Sequence, residues 1–237
     1  MKLLKAGLLA SAILFCGSTI FAQTADEIVG KYIQAIGGKD KIAAIKSIHM
    51  ETSSQIMGND APGNVTILNG KGFKSETEFN GQKMIQCYTE KGGWSTNPMS
   101  GNTPEAMPDE QYKSGKAQMQ VGGELFDYAA KGSKVELLGK DGNLYKLKLT
   151  TKDSTETTYY IDPTTYYISK LTKTGEAMGQ QVEIAISYSD YKKTDYGIMI
   201  PFTTQLDFGS MFSMSITTKK VDINPPVDPK IFDMPGK

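Results

Sequence analysis

The 237 residues carry 26 Lys+Arg against 26 Asp+Glu, with 39% hydrophobic and 22% charged residues, which excludes a strongly basic nucleic-acid binder, a disordered chain and a bundle of membrane helices. Every one of the 26 cationic residues is a lysine. The side chain that clamps phosphate and carboxylate bidentately, and that anchors most base readout, is therefore missing, and no nucleic-acid partner is expected.

The chain opens with Lys2 and Lys5, an apolar run from Ala6 to Phe15, and the small residue Ala22 before Gln23. This pattern predicts a secretory signal peptide over residues 1–22, cleaved after Ala22, and a periplasmic destination. The run is too short for a permanent anchor, since spanning takes roughly 20 apolar residues. Cys16 follows the bulky Phe15, where a lipidation signal wants a small residue. Cleavage leaves Cys87 as the sole cysteine of a single domain over 23–237, so no internal disulfide is expected.

Thr24 to Glu27 forms a capping box, and Ile28, Val29, Tyr32, Ile33 and Ile36 share one helical face before Gly37-Gly38 stops the helix. A short second helix is predicted from Asp40 to Lys46. Alternation then takes over: Ile48, Met50, Thr52 and Ile56 lie on one side of a strand, with His49, Glu51, Ser53 and Gln55 on the other. Asn69-Gly70 and Asn80-Gly81 are hairpin signals between further strands, including Phe73–Phe79 and Lys83–Tyr88. Gly92-Gly93-Trp94 starts a short strand, and 97–108 reads as a loop. A weak polar helix over 108–120 and a short apolar helix over Gly123 to Ala130 interrupt the β pattern. Strands resume at 134–138, 144–151, 156–162, 166–173, 182–189, 198–208 and 212–216. Ten or eleven strands joined by short turns exclude a parallel α/β fold. The expected class is α+β: one large curved antiparallel sheet forming an open, incomplete β-barrel, covered by helices on its concave side.

Tyr159-Tyr160-Ile161-Asp162-Pro163-Thr164-Thr165-Tyr166, Tyr188-Ser189-Asp190-Tyr191, Gly197, Ile200-Pro201-Phe202 and Val221-Asp222-Ile223-Asn224 with Phe232 resemble the outer-membrane lipoprotein-sorting (LolA/LolB-like) family, and Ile36-Gly37-Gly38 extends the likeness to the N-terminus. The resemblance implies an incomplete barrel holding acyl chains of lipoproteins or lipids in an apolar cavity, with membrane donor and acceptor proteins as partners and a monomer as the working form. One feature departs from it. Carriers of this family tie a helical lid to the barrel with an arginine, and this chain has none. The alternative function is a noncatalytic envelope interaction module whose barrel is filled.

An acyl carrier needs apolar, adaptable lining, which suits methionine. The candidate cavity residues are Met50, Met84 and Met214 in strands, Trp94 at the mouth, Leu125, Phe126 and Tyr128 as lid or plug, and the strand aromatics Phe202 and Phe212. No catalytic residue, metal ligand or cofactor is assigned. His49 is the sole histidine, no Gly-x-Ser-x-Gly elbow or phosphate-binding glycine loop is present, and one histidine with one cysteine cannot assemble an ordinary zinc site. Lys192, Lys193, Lys219 and Lys220 are candidates for a basic edge facing anionic head groups, with solvated strand ends as the plainer alternative, and the proline-rich 224–229 is expected to pack along the barrel rim.

Overall fold

The computed structural model describes residues 23–56, 58–96, 101–177 and 180–236. The expected leader, residues 1–22, lies outside them. The chain begins with α1 (Ala25–Ala35) and α2 (Lys39–Ala43). Thr24 caps α1 as predicted: its hydroxyl accepts the Glu27 amide at 3.2 Å, and the Glu27 carboxylate accepts the Thr24 amide at 3.0 Å.

Among the described residues thirteen strands follow, named in chain order: β1 (Ser47–Ile56), β2 (Asn59–Leu68), β3 (Gly72–Phe79), β4 (Gln82–Thr89), β5 (Gly92–Thr96), β6 (Pro104–Ala106), β7 (Lys134–Asp141), β8 (Leu144–Thr150), β9 (Glu156–Ile161), β10 (Ile168–Ala177), β11 (Gln180–Lys193), β12 (Met199–Asp207) and β13 (Ser213–Ile223). They form one sheet in the order β6-β5-β4-β3-β2-β1-β13-β12-β11-β10-β9-β8-β7. Every neighbouring pair is antiparallel, and the one long connection joins β6 to β7. The sheet does not close, because β6 and β7 are its two free edges. The open α+β barrel expected from the sequence is therefore the observed architecture. Two details differ: Pro104–Ala106, read as loop, adds a short edge strand, and β2, expected to resume only at Asn64 after the breakers Asn59, Asp60, Pro62 and Gly63, starts at Asn59 and runs through them.

Directly paired residues of antiparallel strands share a face. Ile48 on β1 aligns with Ile67 and Ile223, and Met50 with Val65 and Val221. This inner face receives α1: Ile28, Val29, Tyr32 and Ile36 pack with Ile42, Ile45, Ile48, Leu147, Leu149, Tyr159 and Ile161 in the main core. Alternation puts these strand residues on one side, and the 3.6-residue period of α1 supplies the matching stripe.

The connection from β6 to β7 carries α3 (Asp109–Gly115), which runs into a 3-10 turn at Lys116–Met119. This matches the polar helix expected there. The predicted apolar helix at Gly123–Ala130 is instead a chain of turns. Gly122, Gly123 and Asp127 all have positive φ, a conformation that a right-handed helix cannot include. Leu125 still reaches the main core at 1% exposure.

α3 lies across the inner face. Tyr112 packs with Phe73, Tyr88, Met107 and Met119 in a second cluster, and its hydroxyl donates to the Thr89 carbonyl at 2.8 Å. At the other end of the helix, Lys173 Nζ on β10 donates to the Ser114 carbonyl at 2.6 Å, and Lys116 pairs with Asp153 at 2.6 Å. The helix thereby bridges the β4 arm of the sheet and the β10 arm.

Candidate ligand-binding interior

The two halves of the inner face differ because α1 and α2 cover only one of them. α1 and α2 are pinned at the end carrying the β2–β3 and β11–β12 turns: Met199 N donates to the Ile36 carbonyl at 2.9 Å, and the Asn69 side chain donates to Ile45 O at 2.9 Å and accepts from Val121 N at 3.0 Å. Beneath them Ile28, Ile45, Leu125, Leu147, Leu149 and Ile161 are sealed from solvent.

Toward the opposite end, where the β1–β2, β3–β4 and β12–β13 hairpins turn, the strands carry apolar side chains on the inner face that stay half-exposed. Met214 aligns with Leu206, Leu206 with Ile186, and Ile186 with Leu171 in one row across four strands. Ile216, Ile56 and Met84 extend this half-buried surface. At its rim, Phe208 and Phe212 stack with ring centroids 4.4 Å apart, and Phe212 is 39% exposed.

Beside this strip, on the arm formed by β9 and β10, lies a polar cluster level with the sealed Leu149. Glu124, from the turn segment, accepts hydrogen bonds from Thr157 Oγ1 at 3.1 Å and from the Tyr159 hydroxyl at 3.0 Å. Burial, reinforced by the Glu124 charge, holds the Tyr159 hydroxyl well above its ordinary pKa and pushes Tyr188 up to about 12. Lys173 aligns with Thr157 on β9 and Ile184 on β11, so its stem is on the same face. Burial lowers its pKa, against the opposing pull of Glu124.

The sequence-derived site residues fall into three groups. Met50, Leu125, Phe126 and Tyr128 belong to or pack against the main core, and the Tyr128 hydroxyl donates to Asp26 on α1. Met84 and Met214 lie on the half-exposed inner strip, with Phe212 at its rim. Phe202 is half-buried with the Lys192 ammonium 4.7 Å from its ring centre.

Trp94 corrects the sequence reading. It aligns with Cys87, whose other partner is Lys74, on the outer face, away from the cavity it was expected to border. There its Nε1 donates to the Phe232 carbonyl at 2.9 Å, and Cys87 Sγ lies 3.3 Å from the same oxygen. The proline-rich C-terminal segment, ending in a 3-10 turn at Pro229–Phe232, is the outer strap that covers them. Burial pushes the Cys87 thiol up to about 12. His49 is also on the outer face, with Nδ1 3.0 Å from Thr66 Oγ1. Among the described residues no cluster of three or more His, Cys, Asp or Glu could hold a metal ion.

The sequence reading missed Glu124 and Lys173, because each looks like an ordinary surface charge until the strand register and the turn segment bring them inside.

An open antiparallel barrel whose concave face is part core and part half-exposed apolar strip defines a LolA-like fold. Solved structures share it. A protein described as an outer membrane lipoprotein-sorting domain, from Vibrio parahaemolyticus, superposes with a TM-score of 0.57 at 13% identity, over 88% of this chain and 97% of its own. A LolA superfamily protein from Nitrosomonas europaea and a DUF1329 family protein from Desulfovibrio piger each give 0.58 at 13% identity, over 90% of this chain and 98% of theirs. No family profile and no curated protein matches the sequence. At 13% identity the likeness establishes the fold.

Proposed function

We propose that this chain is a noncatalytic periplasmic carrier that holds the acyl chain of a lipid or lipoprotein against the half-exposed inner strip. The observation that supports it is the half-exposed row Ile186, Leu206 and Met214, next to the Phe208–Phe212 stack at the rim. Each methylene buried there contributes about 0.8 kcal/mol, so an acyl chain of ~16 carbons gains on the order of 10 kcal/mol before ordering costs. Lipoprotein sorting is the activity named for the Vibrio structural neighbour. Lys173 does for α3 what the family resemblance assigns to an arginine: its ammonium holds the Ser114 carbonyl and ties the helix to the barrel.

The test is native mass spectrometry, with lipid extraction, on the mature protein purified from its own envelope without detergent. A stoichiometric acylated species is expected, and Met214→Glu should abolish it while leaving circular dichroism unchanged. A protein that flies at its bare mass and takes up no acyl probe refutes the carrier.

One observation favours a second reading, the filled-barrel interaction module. The half of the interior under α1 and α2 is closed, with Leu147, Leu149 and Ile161 fully buried. That reading predicts no acyl uptake in either the native protein or the variant.

A further inference from the structure

The sheet has an internal edge as well as its two outer ones. β12 and β13 pair only from Thr203 with Thr217 to Asp207 with Ser213. Two residues further, the same register would set Pro201 against Lys219. Pro201 has no backbone N–H, and Lys219 is the extra residue where β13 bulges out of its register with β1. The ladder stops there for want of a donor and of a regular partner. Beyond that point β12 stays on β11 and β13 stays on β1, so the two strands part. On the β12 side the end of α1 fills the fork. Met199 N donates to Ile36 O at 2.9 Å, and Gly37 lies so close to Ile198 that an added Cβ would stand 2.8 Å from its Cγ2.

The β13 side is left open. Asn224 N donates to Ser47 O at 2.9 Å, so Asn224 faces β1, and backbone groups alternate in direction along an antiparallel strand. Asp222 therefore also faces β1, and Val221 and Ile223 turn their N–H and C=O groups into the fork. Among the described residues no hydrogen bond reaches them there. Between this edge and the β11–β12 turn lies a cavity of about 450 Å³, walled by residues 194–196 on one side and 221–225 on the other. Two carboxylates, Asp195 and Asp222, line it, and no cationic side chain does. Lys220 pairs with Asp222 at 2.8 Å, whereas among the described residues no lysine comes within 4.0 Å of Asp195. Unpaired backbone donors and acceptors at strand spacing, bordering open space, are what an added strand satisfies.

We propose that the β13 edge at Val221 and Ile223 takes a short extended segment of a partner protein as an added strand, with side chains that alternate apolar and basic. The alternation follows from the cross-strand neighbours. Val221 and Ile223 send their side chains to the inner face, where they pack against the main core, and Asp222 sends its carboxylate to the outer face. A strand beside them meets apolar side chains on its inner side and Asp222 on its outer side, with Asp195 across the cavity. The site is bounded at both ends. The Lys219 bulge closes its apex, and beyond Ile223 the chain leaves the strand line through Asn224, at φ 61°, and Pro225. So short an edge keeps the contact reversible and is no template for aggregation. The assignment does not depend on what the barrel interior holds.

The probe is a blocked hexapeptide of alternating valine and lysine, added to the mature protein and followed by amide hydrogen exchange in NMR spectra. In the free protein the Val221 and Ile223 amides should exchange roughly tenfold or more faster than that of Asp222, although all three lie in one strand. Saturating peptide should slow them by roughly tenfold or more. N-methylation of every second peptide residue isolates the main-chain bonds, since only one of the two alternate sets carries the donors that face β13. One set should abolish the protection and the other should leave it. Asp195→Asn, in the exposed β11–β12 turn, should weaken the peptide severalfold without changing exchange in the free protein, and a valine–glutamate peptide should bind more weakly than the lysine one. Equal exchange of the three amides in the free protein, no protection at millimolar peptide, or equal losses from both methylated sets overturns the assignment. Protection of Val221 and Ile223 that rises with protein concentration alone also overturns it, and gives the edge to a second copy of this chain.

Discussion

Removing the Phe232 ring tests how the outer face of the barrel is held. The ring is 3% exposed and packs on Cys87 and Trp94, themselves 0% and 4% exposed. It also lies directly over Gly72 of β3, where an added Cβ would stand 2.7 Å from the ring atoms Cγ and Cδ2. Truncating a buried phenylalanine to alanine costs about 3–5 kcal/mol. The C-terminal strap can partly settle into the space, so Phe232→Ala should fall at the low end, about 3 kcal/mol. That corresponds to a midpoint lowered by roughly 6–12 °C for a chain of this size. Gly72→Ala creates the reverse problem, an overpacked socket, at about 1–3 kcal/mol. The two changes must be coupled, because the added methyl has nothing to strike once the ring is gone. The double variant should therefore be no less stable than Phe232→Ala alone, with a coupling energy equal to the whole Gly72→Ala penalty. Urea unfolding followed by circular dichroism measures the cycle. Trp94, the only tryptophan, reports the socket itself, since its indole N–H loses the Phe232 carbonyl whenever the strap lifts. Additive losses, or a Trp94 emission unchanged in Phe232→Ala, would refute this packing.

Cys87 should resist iodoacetamide at about pH 8 and react only on unfolding, because burial raises its pKa and the strap covers it; mass spectrometry that finds rapid native-state alkylation contradicts the buried socket. In the β9–β10 turn, Asp162 accepts from the Thr165 amide at 2.7 Å, the Thr164 amide at 2.9 Å and the Thr165 hydroxyl at 3.1 Å, and these bonds hold its carboxyl below the ordinary value. A depressed folded pKa means that this stabilisation is fully present above the ordinary aspartate value of about 4 and is lost as pH falls through the lower folded value. Hydrogen exchange of the Tyr166 amide, which donates to Asp162 O at 2.9 Å, should show weaker protection at about pH 2 than at about pH 6 after correction for intrinsic rates, whereas equal protection, or an unchanged profile in Asp162→Asn, contradicts this account.

What the sequence made legible was periodicity. The even positions of β1, Ile48, Met50, Thr52 and Ile56, do share the inner face, and Asn69-Gly70 and Asn80-Gly81 do turn hairpins. Alternation says that neighbours point apart, and it does not say which way is inward. Trp94 shows the consequence, since its side was settled only by its pairing with Cys87. The Gly123–Ala130 stretch shows a second limit. Leu125, Phe126 and Tyr128 have helical spacing, but two glycines and Asp127 at positive φ turn the backbone while still delivering Leu125 to the core. Charge is the third. Lys173 sits in an alternating strand among Thr172 and Thr174, and nothing in that pattern separates a solvated lysine from one that reaches across to Ser114.

The two unpaired margins of the sheet have a mechanical meaning. β6 is three residues long and starts with Pro104, and β7 carries Lys134, Lys140 and an irregularity at Gly139, so neither margin is a good template for a foreign strand. Because β6 and β7 share no ladder bonds with each other, the aperture between them can widen or narrow by small changes of twist distributed over many strands, with every backbone hydrogen bond kept. A closed barrel has a circumference fixed by its strand number and shear. Here the girth is a soft coordinate, restrained across the gap by side-chain fastenings from α3 to Thr89 and to Lys173, so one scaffold can accommodate contents of unequal cross-section.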